Sequence, residues 1–324
     1  SGAGQIRGGA GLLGGAPLFL HNITNDSMNS RVPASFQSFP LTLVSWNISN
    51  AQPSFAAPNF SHRSKESPRL IREECLRLSP SPDIIALQEC PYPAFGQQEF
   101  ADSGYVSIGT QESHCGYVDL LVRKELTMRK AQPIIMLQEY DLPSVAATIE
   151  LPNKVKIAVS SSHLEPFKEG AFERRMQCEM LMDILSQKAD NCIHLGDFNM
   201  RAAEDGGIET ASGGGWIDAW KETGSNSEFK FPWNSYVNTY HDGGFKFRAR
   251  FDRCYARGTS LSVKQFGFMG NQPVEKKGDY LSDHFGLAVQ FDVLTKDTAS
   301  EFAEFDDPEW EKAAMILTDA ASQK

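Results

Sequence analysis

Four short apolar runs that each end in polar side chains constrain the fold more than any other feature of this sequence. The runs are LTLVSW, DIIAL, KIAVSSS and NCIHL, and short apolar runs bounded by turn residues are typical of buried strands. Helical spacing separates some of them, in ESPRLIREECLRL and AFERRMQCEMLMDILSQ. This alternation predicts a layered α/β protein, in which functional groups collect where strand ends and their loops converge.

The polar residues beside the strand ends form a coherent chemical set. Each one alone is typical of a turn or a solvated surface, because Asn and Asp are ordinary strand terminators. Together at one edge of the sheets, they would suit metal-assisted hydrolysis of a phosphate ester. The set comprises Asn47, Glu89, His163, Glu165, Asp197 and Asn199, with Asp283 and His284 just before the last apolar run, GLAVQFDV.

Side-chain chemistry predicts a role for each member. Mg²⁺ takes oxygen ligands and is typically held by one or two carboxylates, which suits Glu89 as the metal ligand. An attacking water must be oriented and deprotonated, which suits Asp197, with Asn199 holding a phosphate oxygen or the carboxylate. The candidate donors to the charge that develops on the phosphoryl oxygens are His284, His163 and Asn47.

The segment FKFRARFDR predicts a strand with two unlike faces. Its polar side chains are Lys246, Arg248, Arg250 and Asp252, which alternate with Phe and Ala residues and would share one face. We interpret the cations as a track for a polyanion, the alternative being a solvated strand face. A histidine donor needs a partner on its other ring nitrogen. Asp283 is too close in sequence to be the obvious partner of His284, so Asp252 is the predicted one.

Composition limits the class of protein further. The net charge of -10 argues against a protein that grips nucleic acid with its whole surface, but it allows a local basic groove. The six cysteines are scattered without a C-x-x-C pair, which favours reduced thiols over a zinc site or a disulfide framework. No apolar run is long enough to predict a membrane span, and the N-terminus lacks the layout of a signal peptide.

Three segments are predicted along the chain. Residues 1–38 are Gly-rich and expected to be partly disordered, residues 39–296 form the catalytic domain, and residues 297–324 form an acidic helix or tail. Within the tail, Pro308 and the spacing of Trp310, Ala314 and Leu317 predict one helix, either solvated, which we prefer, or packed. The absence of an initial Met leads us to expect a processed or truncated product.

A stripe of apolar side chains recurs every four residues in the helical segment AFERRMQCEMLMDILSQ. It comprises Phe172, Met176, Met180 and Ile184, and we interpret it as core packing.

Five motifs occur in the order known from one superfamily. They are Trp46-Asn47, Gln88-Glu89, His163-Leu164, Gly196-Asp197-Phe198-Asn199 and Ser282-Asp283-His284. The chain therefore resembles the endonuclease/exonuclease/phosphatase superfamily, the DNase I-like fold. The resemblance implies a four-layered α/β sandwich of two mixed β-sheets flanked by helices, and dependence on Mg²⁺, for which Mn²⁺ can substitute. The site residues it implies are Glu89 on the metal, Asp197 as acid/base, His284 on the scissile phosphate, and Asn47, Asn199 and Arg201 on the phosphate side.

Within this superfamily the chain is similar to the tyrosyl-DNA phosphodiesterase 2 family. The similarity is carried by HLE followed by Arg174 and Gln177, and by GDFNMR, GGGWIDAW, RFDR, SDHFGL and CGYVDLLVRK, which holds Tyr117. It implies hydrolysis of 5′-phosphotyrosyl bonds on single-stranded or end-frayed DNA, which removes topoisomerase II peptide during break repair. A monomer in the nucleus, and also in the cytoplasm, is the matching expectation.

Three positions depart from the family pattern. Ser49 replaces an Asp near the metal, Pro166 replaces a Ser, and Tyr240 replaces a Trp of the DNA-binding loop. Tyr117 and Tyr240 are still predicted to stack on a nucleic acid end. The alternatives are a 3′ exonuclease that removes poly(A), a phosphodiesterase on small substrates, and a catalytically silent nucleic-acid-binding module.

Overall fold

The computed structural model describes residues 38–52, 66–127, 131–134, 142–210, 213–241, 244, 246–274 and 279–295. The predicted Gly-rich segment, apart from Ser38, lies outside these residues, and so does the acidic segment 297–324.

Two six-stranded mixed sheets form the centre of the fold, and each has one parallel pair of neighbouring strands. In the first sheet β1 and β2 are parallel and the other neighbours are antiparallel. Its strand order is β13 (Leu261–Met269), β14 (Gly286–Leu294), β1 (Ser38–Asn47), β2 (Ile84–Cys90), β4 (Gly116–Arg123) and β3 (Tyr105–Ser113).

In the second sheet β7 and β8 are parallel and the other neighbours are antiparallel. Its strand order is β5 (Gln132–Pro133), β6 (Ser144–Glu150), β7 (Lys156–His163), β8 (Asn191–Asp197), β12 (Asp252–Arg257) and β9 (Trp216–Asp218). A separate pair consists of β10 (Trp233–Asn234) and β11 (Arg248–Ala249).

The helices of the described residues are α1 (Ser67–Leu76), α2 (Phe95–Phe100), α3 (Lys124–Thr127), α4 (Ala171–Lys188) and α5 (Ala219–Glu222). None of them is long and apolar enough to cross a bilayer.

Alternation along the strands explains the layers. In β1, Leu41 and Leu43 belong to the core between the two sheets, whereas Val44 and Trp46 belong to the core under α1 and α2. Both faces of the strand are therefore buried, which is why it reads as a continuous apolar run. A third core lies between the second sheet and α4. The predicted four-layered sandwich is confirmed.

Polar contacts also cross between the sheets. The Gln88 side chain of β2 donates from Nε2 to Ser161 Oγ of β7 at 3.0 Å, and both residues are fully buried. A buried amide without a partner would destabilise the fold, so this contact fixes the position of one sheet against the other.

The interpretation of the apolar stripe on α4 as core packing is wrong for three of its four members. Phe172, Met176 and Met180 are 72%, 46% and 36% exposed, and only Ile184 is buried. The helix has a second apolar row, which includes Leu181 and faces the sheet instead. A repeat of four residues drifts by about 40° per step around a 3.6-residue helix, so the stripe leaves the sheet-facing side.

Candidate active site

The strand ends of both sheets meet at one edge of the sandwich. Asn47 ends β1 and Glu89 lies beside the end of the parallel strand β2, while His163 and Asp197 end the parallel strands β7 and β8. Asp252 begins β12 directly opposite Asp197 in the antiparallel register. The predicted convergence of these residues is therefore confirmed.

Asp197 lies buried at the centre of this group. Its Oδ2 accepts a hydrogen bond from Asn47 Nδ2 at 3.0 Å, and the Nε2 atoms of His163 and His284 lie 3.6 and 3.7 Å from the same oxygen. Its Oδ1 accepts from the backbone N–H of Asn199 at 2.9 Å. The carboxylate is thus oriented on both sides, as a proton acceptor for a bound water must be.

The Asn47 amide connects the two carboxylates of the site. Nδ2 donates to Glu89 Oε1 and to Asp197 Oδ2, both at 3.0 Å, and Oδ1 accepts from the backbone of Ser49. The amide hydrogens expected to serve a phosphoryl oxygen are therefore directed at the carboxylates in this structure. Asn50 Nδ2 donates to the other oxygen of Glu89 at 3.2 Å.

The neighbourhood of Glu89 suits a divalent cation. Burial, together with the charges of Asp283 and Asp197, raises the pKa of Glu89 to about 7 although Asn47 donates to it. A cation would relieve this carboxylate repulsion, and the available carboxylate and amide oxygens are hard ligands. Asp197, Asp252 and His284 also lie within metal-ligand reach of one another, but Asp252 and His284 are occupied by their mutual hydrogen bond.

His284 forms the predicted pair with Asp252. Its Nδ1 lies 2.8 Å from Asp252 Oδ2, and both side chains are buried. Burial alone would lower the pKa of His284, but the Asp252 and Asp197 carboxylates raise it well above its ordinary value. The raised pKa favours the imidazolium form of His284, and its Nε2 faces Asp197.

His163 has the opposite character. Burial lowers the pKa of His163 to about 4, so the ring is neutral at pH 7. Its Nε2 faces Asp197 and Glu89, which favours a proton on that nitrogen, and its Nδ1 lies 3.3 Å from Ser113 Oγ. One imidazole with a lowered pKa and one with a raised pKa thus lie beside the same carboxylate oxygen.

This constellation agrees with the result of a comparison with known families. The sequence model of the Endonuclease/Exonuclease/phosphatase family matches residues 44–284, which includes every strand end described above. The chain belongs to this family.

Named relatives and solved structures extend the likeness. The 5′-tyrosyl-DNA phosphodiesterase of Caenorhabditis briggsae is 24% identical over 264 residues, which is 80% of this chain and 71% of the relative. Tyrosyl-DNA phosphodiesterase 2 of Danio rerio is 22% identical over 287 residues, which is 85% of this chain and 73% of the relative.

Among solved structures, D. rerio TDP2 complexed with single strand DNA product superposes with a TM-score of 0.61 at 21% identity, covering 78% of this chain and 98% of that one. The human Nocturnin catalytic domain with bound sulfate superposes with a TM-score of 0.56 at 19% identity, covering 80% and 97%. At these identities the structures show that the fold is shared.

The structure places Asn199 differently from the sequence prediction. The strand β8 ends at Asp197, and Asn199 has a left-handed backbone with φ of 52°. Its Nδ2 donates to the Leu164 carbonyl at 3.0 Å, so the side chain does not hold the Asp197 carboxylate. Asn199 holds the carboxylate through its backbone instead. Phe198 is fully buried.

Tyr240, predicted to stack on a nucleic acid end, and Arg250, predicted to track the polyanion, are both buried. Tyr240 is 1% exposed, donates its hydroxyl to the Gln52 carbonyl at 3.1 Å, and has no free face for stacking. Arg250 is buried in ion pairs with Asp218 and Asp205. The segment FKFRARFDR is interrupted between β11 and β12, so its alternation does not hold at this position.

The other predicted contacts lie closer to the surface. Tyr117 is half-buried in β4, and Arg248 is exposed with its guanidinium 4.5 Å from the Phe231 ring. Arg201 lies with its guanidinium 6.0 Å from the Phe251 ring. The backbone N–H of Glu165 donates to the Gln177 side chain, which fixes the start of the loop that leads to α4. These positions leave their predicted substrate contacts untested.

Two histidines at the rim of the site were missed by sequence reasoning. The exposed His114 ring lies 4.2 Å from the His163 ring, and burial lowers its pKa. His241 Nε2 lies 2.9 Å from Asp283 Oδ2, a hydrogen bond that raises the pKa of His241. Both lie in turns, where no periodicity marks them, and their only sequence signal is proximity to Tyr117 and Tyr240.

Proposed function

We propose that the chain hydrolyses the 5′-phosphotyrosyl bond of DNA and so releases the peptide left by a trapped topoisomerase II. The observation that carries the proposal is the buried Asp197 carboxylate, with the Nε2 atoms of His163 and His284 3.6 and 3.7 Å from one of its oxygens. The names of the relatives supply the substrate class, since two of them are tyrosyl-DNA phosphodiesterases.

In the proposed reaction Asp197 accepts the proton of the attacking water. Asn47 and the Asn199 backbone hold its two oxygens, so the carboxylate needs no reorientation when the proton is transferred. His284 donates from Nε2 to a phosphoryl oxygen, and Asp252 keeps its ring charged and oriented. His163 is the second donor, and it adds no charge.

The leaving group explains why one acid/base residue is sufficient. Tyrosine has an ordinary pKa of about 10, so phenolate departs far more easily than an alkoxide. The site therefore needs no dedicated residue to protonate the leaving oxygen. Asp197 acts on the water, and His284 and His163 act on the phosphoryl oxygens.

Mg²⁺ is the proposed metal, with Mn²⁺ as a substitute, and Glu89 is its proposed protein ligand. When bound, such an ion would act as a Lewis acid on the phosphoryl oxygen. Asn50 stands beside Glu89, and Ser49 occupies the sequence position of the Asp near the metal in related proteins, so a single carboxylate is the proposed protein anchor.

The test is release of tyrosine from a 5′-tyrosyl oligonucleotide by the purified chain, with Mg²⁺, with Mn²⁺ and with a chelator. Asp197→Asn should abolish turnover, whereas Asp119→Asn, another buried Asp outside the site, should retain it. Release of nucleotides from poly(A) RNA without cleavage of the tyrosyl substrate would instead identify a 3′ exonuclease.

The biological setting is proposed on the same basis. Single-stranded or end-frayed DNA is the proposed substrate strand, the proposed active species is a monomer, and the nucleus is the proposed compartment, with the cytoplasm second. Sedimentation of the purified chain and imaging of a tagged chain before and after topoisomerase II poisoning would test the last two points.

A further inference from the structure

The helix α4 presents apolar side chains on two sides. One side packs on the second sheet through Cys178, Leu181 and Leu185, and the other exposes Phe172, Met176 and Met180. We call these last three residues, together with the 71% exposed Phe167, the α4 ridge. Contiguous exposed apolar surface of this kind commonly marks an interaction site.

The ridge is held rigidly at its active-site end. Phe167 has a left-handed backbone, with φ of 61°, which costs free energy for a bulky residue. The fully buried Arg174 fixes this turn through Nη1, which donates to the carbonyls of Glu165 and Phe167 at 3.0 and 2.5 Å. Two further bonds of 2.7 Å join Arg174 to Glu204. The exposed phenyl group is therefore part of a fixed surface.

The size of the ridge argues against a dimer interface. Its four side chains expose an apolar area on the order of 400 Å², given side-chain areas of roughly 200 Å². A stable protein–protein interface buries about 800 Å² on each partner. The ridge matches one face of a short amphipathic segment better than it matches a second copy of the chain.

The chain itself supplies such a segment at the other end of α4. Thr295, the last described residue, lines a cavity of about 640 Å³ together with Gln187 and Lys188 of α4. Gln187 follows Met180 by seven residues, about two helical turns, so the two lie on the same side of α4. The neighbouring residues Ser186 and Lys188 line the cavity too, so the cavity lies at the C-terminal end of α4, about two helical turns beyond Met180.

Charge and length also fit. The cavity presents Lys154, Lys156 and Lys188 beside a single Asp190, whereas residues 296–324 contain eight acidic and three basic residues. α4 has 18 residues and is about 27 Å long. A chain of 29 residues can span that length, even with part of it helical.

We propose that residues 296–324 dock along α4, with the acidic start of the segment against the lysines of the cavity and its apolar residues on the α4 ridge. Trp310, Ala314 and Leu317 are spaced to form one face of a helix and are the proposed partners of Met176 and Met180. The docked segment then reaches towards Phe167, two residues from Glu165.

Photo-crosslinking in the full chain tests this directly. The photoreactive residue p-benzoylphenylalanine replaces Met176 in one variant and Val237, an exposed apolar residue away from α4, in the control. Irradiation of a mixture of ¹⁴N and ¹⁵N chains separates links within a chain from links between chains by mass spectrometry. Links from position 176 to residues 296–324 of the same chain are expected, with none from position 237.

Hydrogen exchange provides the second measurement. In the full chain, Met176→Lys with Met180→Lys should reduce the amide protection of residues 308–320 by roughly tenfold, which corresponds to about 1.4 kcal/mol. Val237→Lys should leave it unchanged. Links only between chains, no link to residues 296–324, or equal exchange in both variants would overturn the proposal.

Discussion

Replacing Asp252 by Asn should change both the rate of hydrolysis and its pH dependence. In the wild type, His284 Nδ1 lies 2.8 Å from Asp252 Oδ2. The substitution keeps the size of the side chain and an oxygen that can accept from this nitrogen. It removes the negative charge that keeps His284 protonated. The pKa of His284 should therefore fall, because burial still lowers it and only the charges of Asp197 and Asp283 still raise it.

The magnitude follows from the loss of one charged donor at the phosphoryl group. Removing a preorganised donor of this kind typically lowers kcat by about 10²–10³-fold, which is about 2.7–4 kcal/mol of transition-state stabilisation. The variant should recover activity as pH falls, because the charged fraction of a group above its pKa rises about tenfold per pH unit. The wild type should show no such rise, since its His284 is already charged.

The assay is kcat for release of tyrosine from a 5′-tyrosyl oligonucleotide between about pH 5.5 and 8.5, around the ordinary histidine pKa. Asp119→Asn is the matched control, since Asp119 is also a buried strand residue and hydrogen-bonds only outside the site, to Gly96 and Ser107. Wild-type kcat in Asp252→Asn, or a reduced kcat with an unchanged pH profile, would refute the role given to the His284–Asp252 pair.

Three other substitutions test features of the fold and the site. Arg174→Met should lower the free energy of unfolding by about 1–3 kcal/mol in urea, because the carbonyls of Glu165 and Phe167 lose their donor and Glu204 loses its ion-pair partner. Arg175→Met, at an exposed position, should change the free energy of unfolding by less than about 0.5 kcal/mol. Tyr240→Phe should cost about 1 kcal/mol through the lost hydrogen bond to Gln52, with DNA affinity in fluorescence anisotropy unchanged. Burial lowers the pKa of His194 to about 3. The free energy of unfolding of the wild type should therefore fall by up to about 4 kcal/mol as the pH falls from 6.5 to 3. In urea titrations, His194→Gln should reduce this dependence on pH.

The sign of the His194 effect follows from proton binding. The unfolded histidine binds a proton near pH 6.5, and the folded one only near pH 3, so the unfolded state binds more protons in that range. Stability is full above about pH 6.5 and declines below it. Equal acid sensitivity of His194→Gln would contradict this account. Equal losses of unfolding free energy in Arg174→Met and Arg175→Met would contradict the account of Arg174. A loss of DNA affinity in Tyr240→Phe would contradict the account of Tyr240.

The strand ends could be predicted because two independent signals coincide there. Short apolar runs mark β1, β2, β7 and β8, and the polar residues beside their ends match an ordered family pattern. The pairing of Asp252 with His284 also followed from chemistry, since a histidine donor needs a partner.

The errors have a common physical origin. Period and spacing say which side chains share a face, but not which face the tertiary structure buries. For α4, two apolar rows compete for the sheet. For Arg250, the predicted strand is interrupted at residues 250 and 251, between β11 and β12. His114 and His241 were missed because turns have no period, and Tyr240 because an aromatic residue in a loop can equally pack inwards.

The Asn47 amide joins a carboxylate of the first sheet to one of the second, so neither sheet carries a complete reaction centre. A chain in which the sheets have separated loses one of the two hydrogen bonds that orient Asp197, even if each sheet keeps its own hydrogen bonds. Turnover then depends on correct docking of the two halves of the sandwich. Partly folded or newly synthesised chains would consequently be inert towards phosphodiesters, which protects nucleic acids from a hydrolase that has not finished folding.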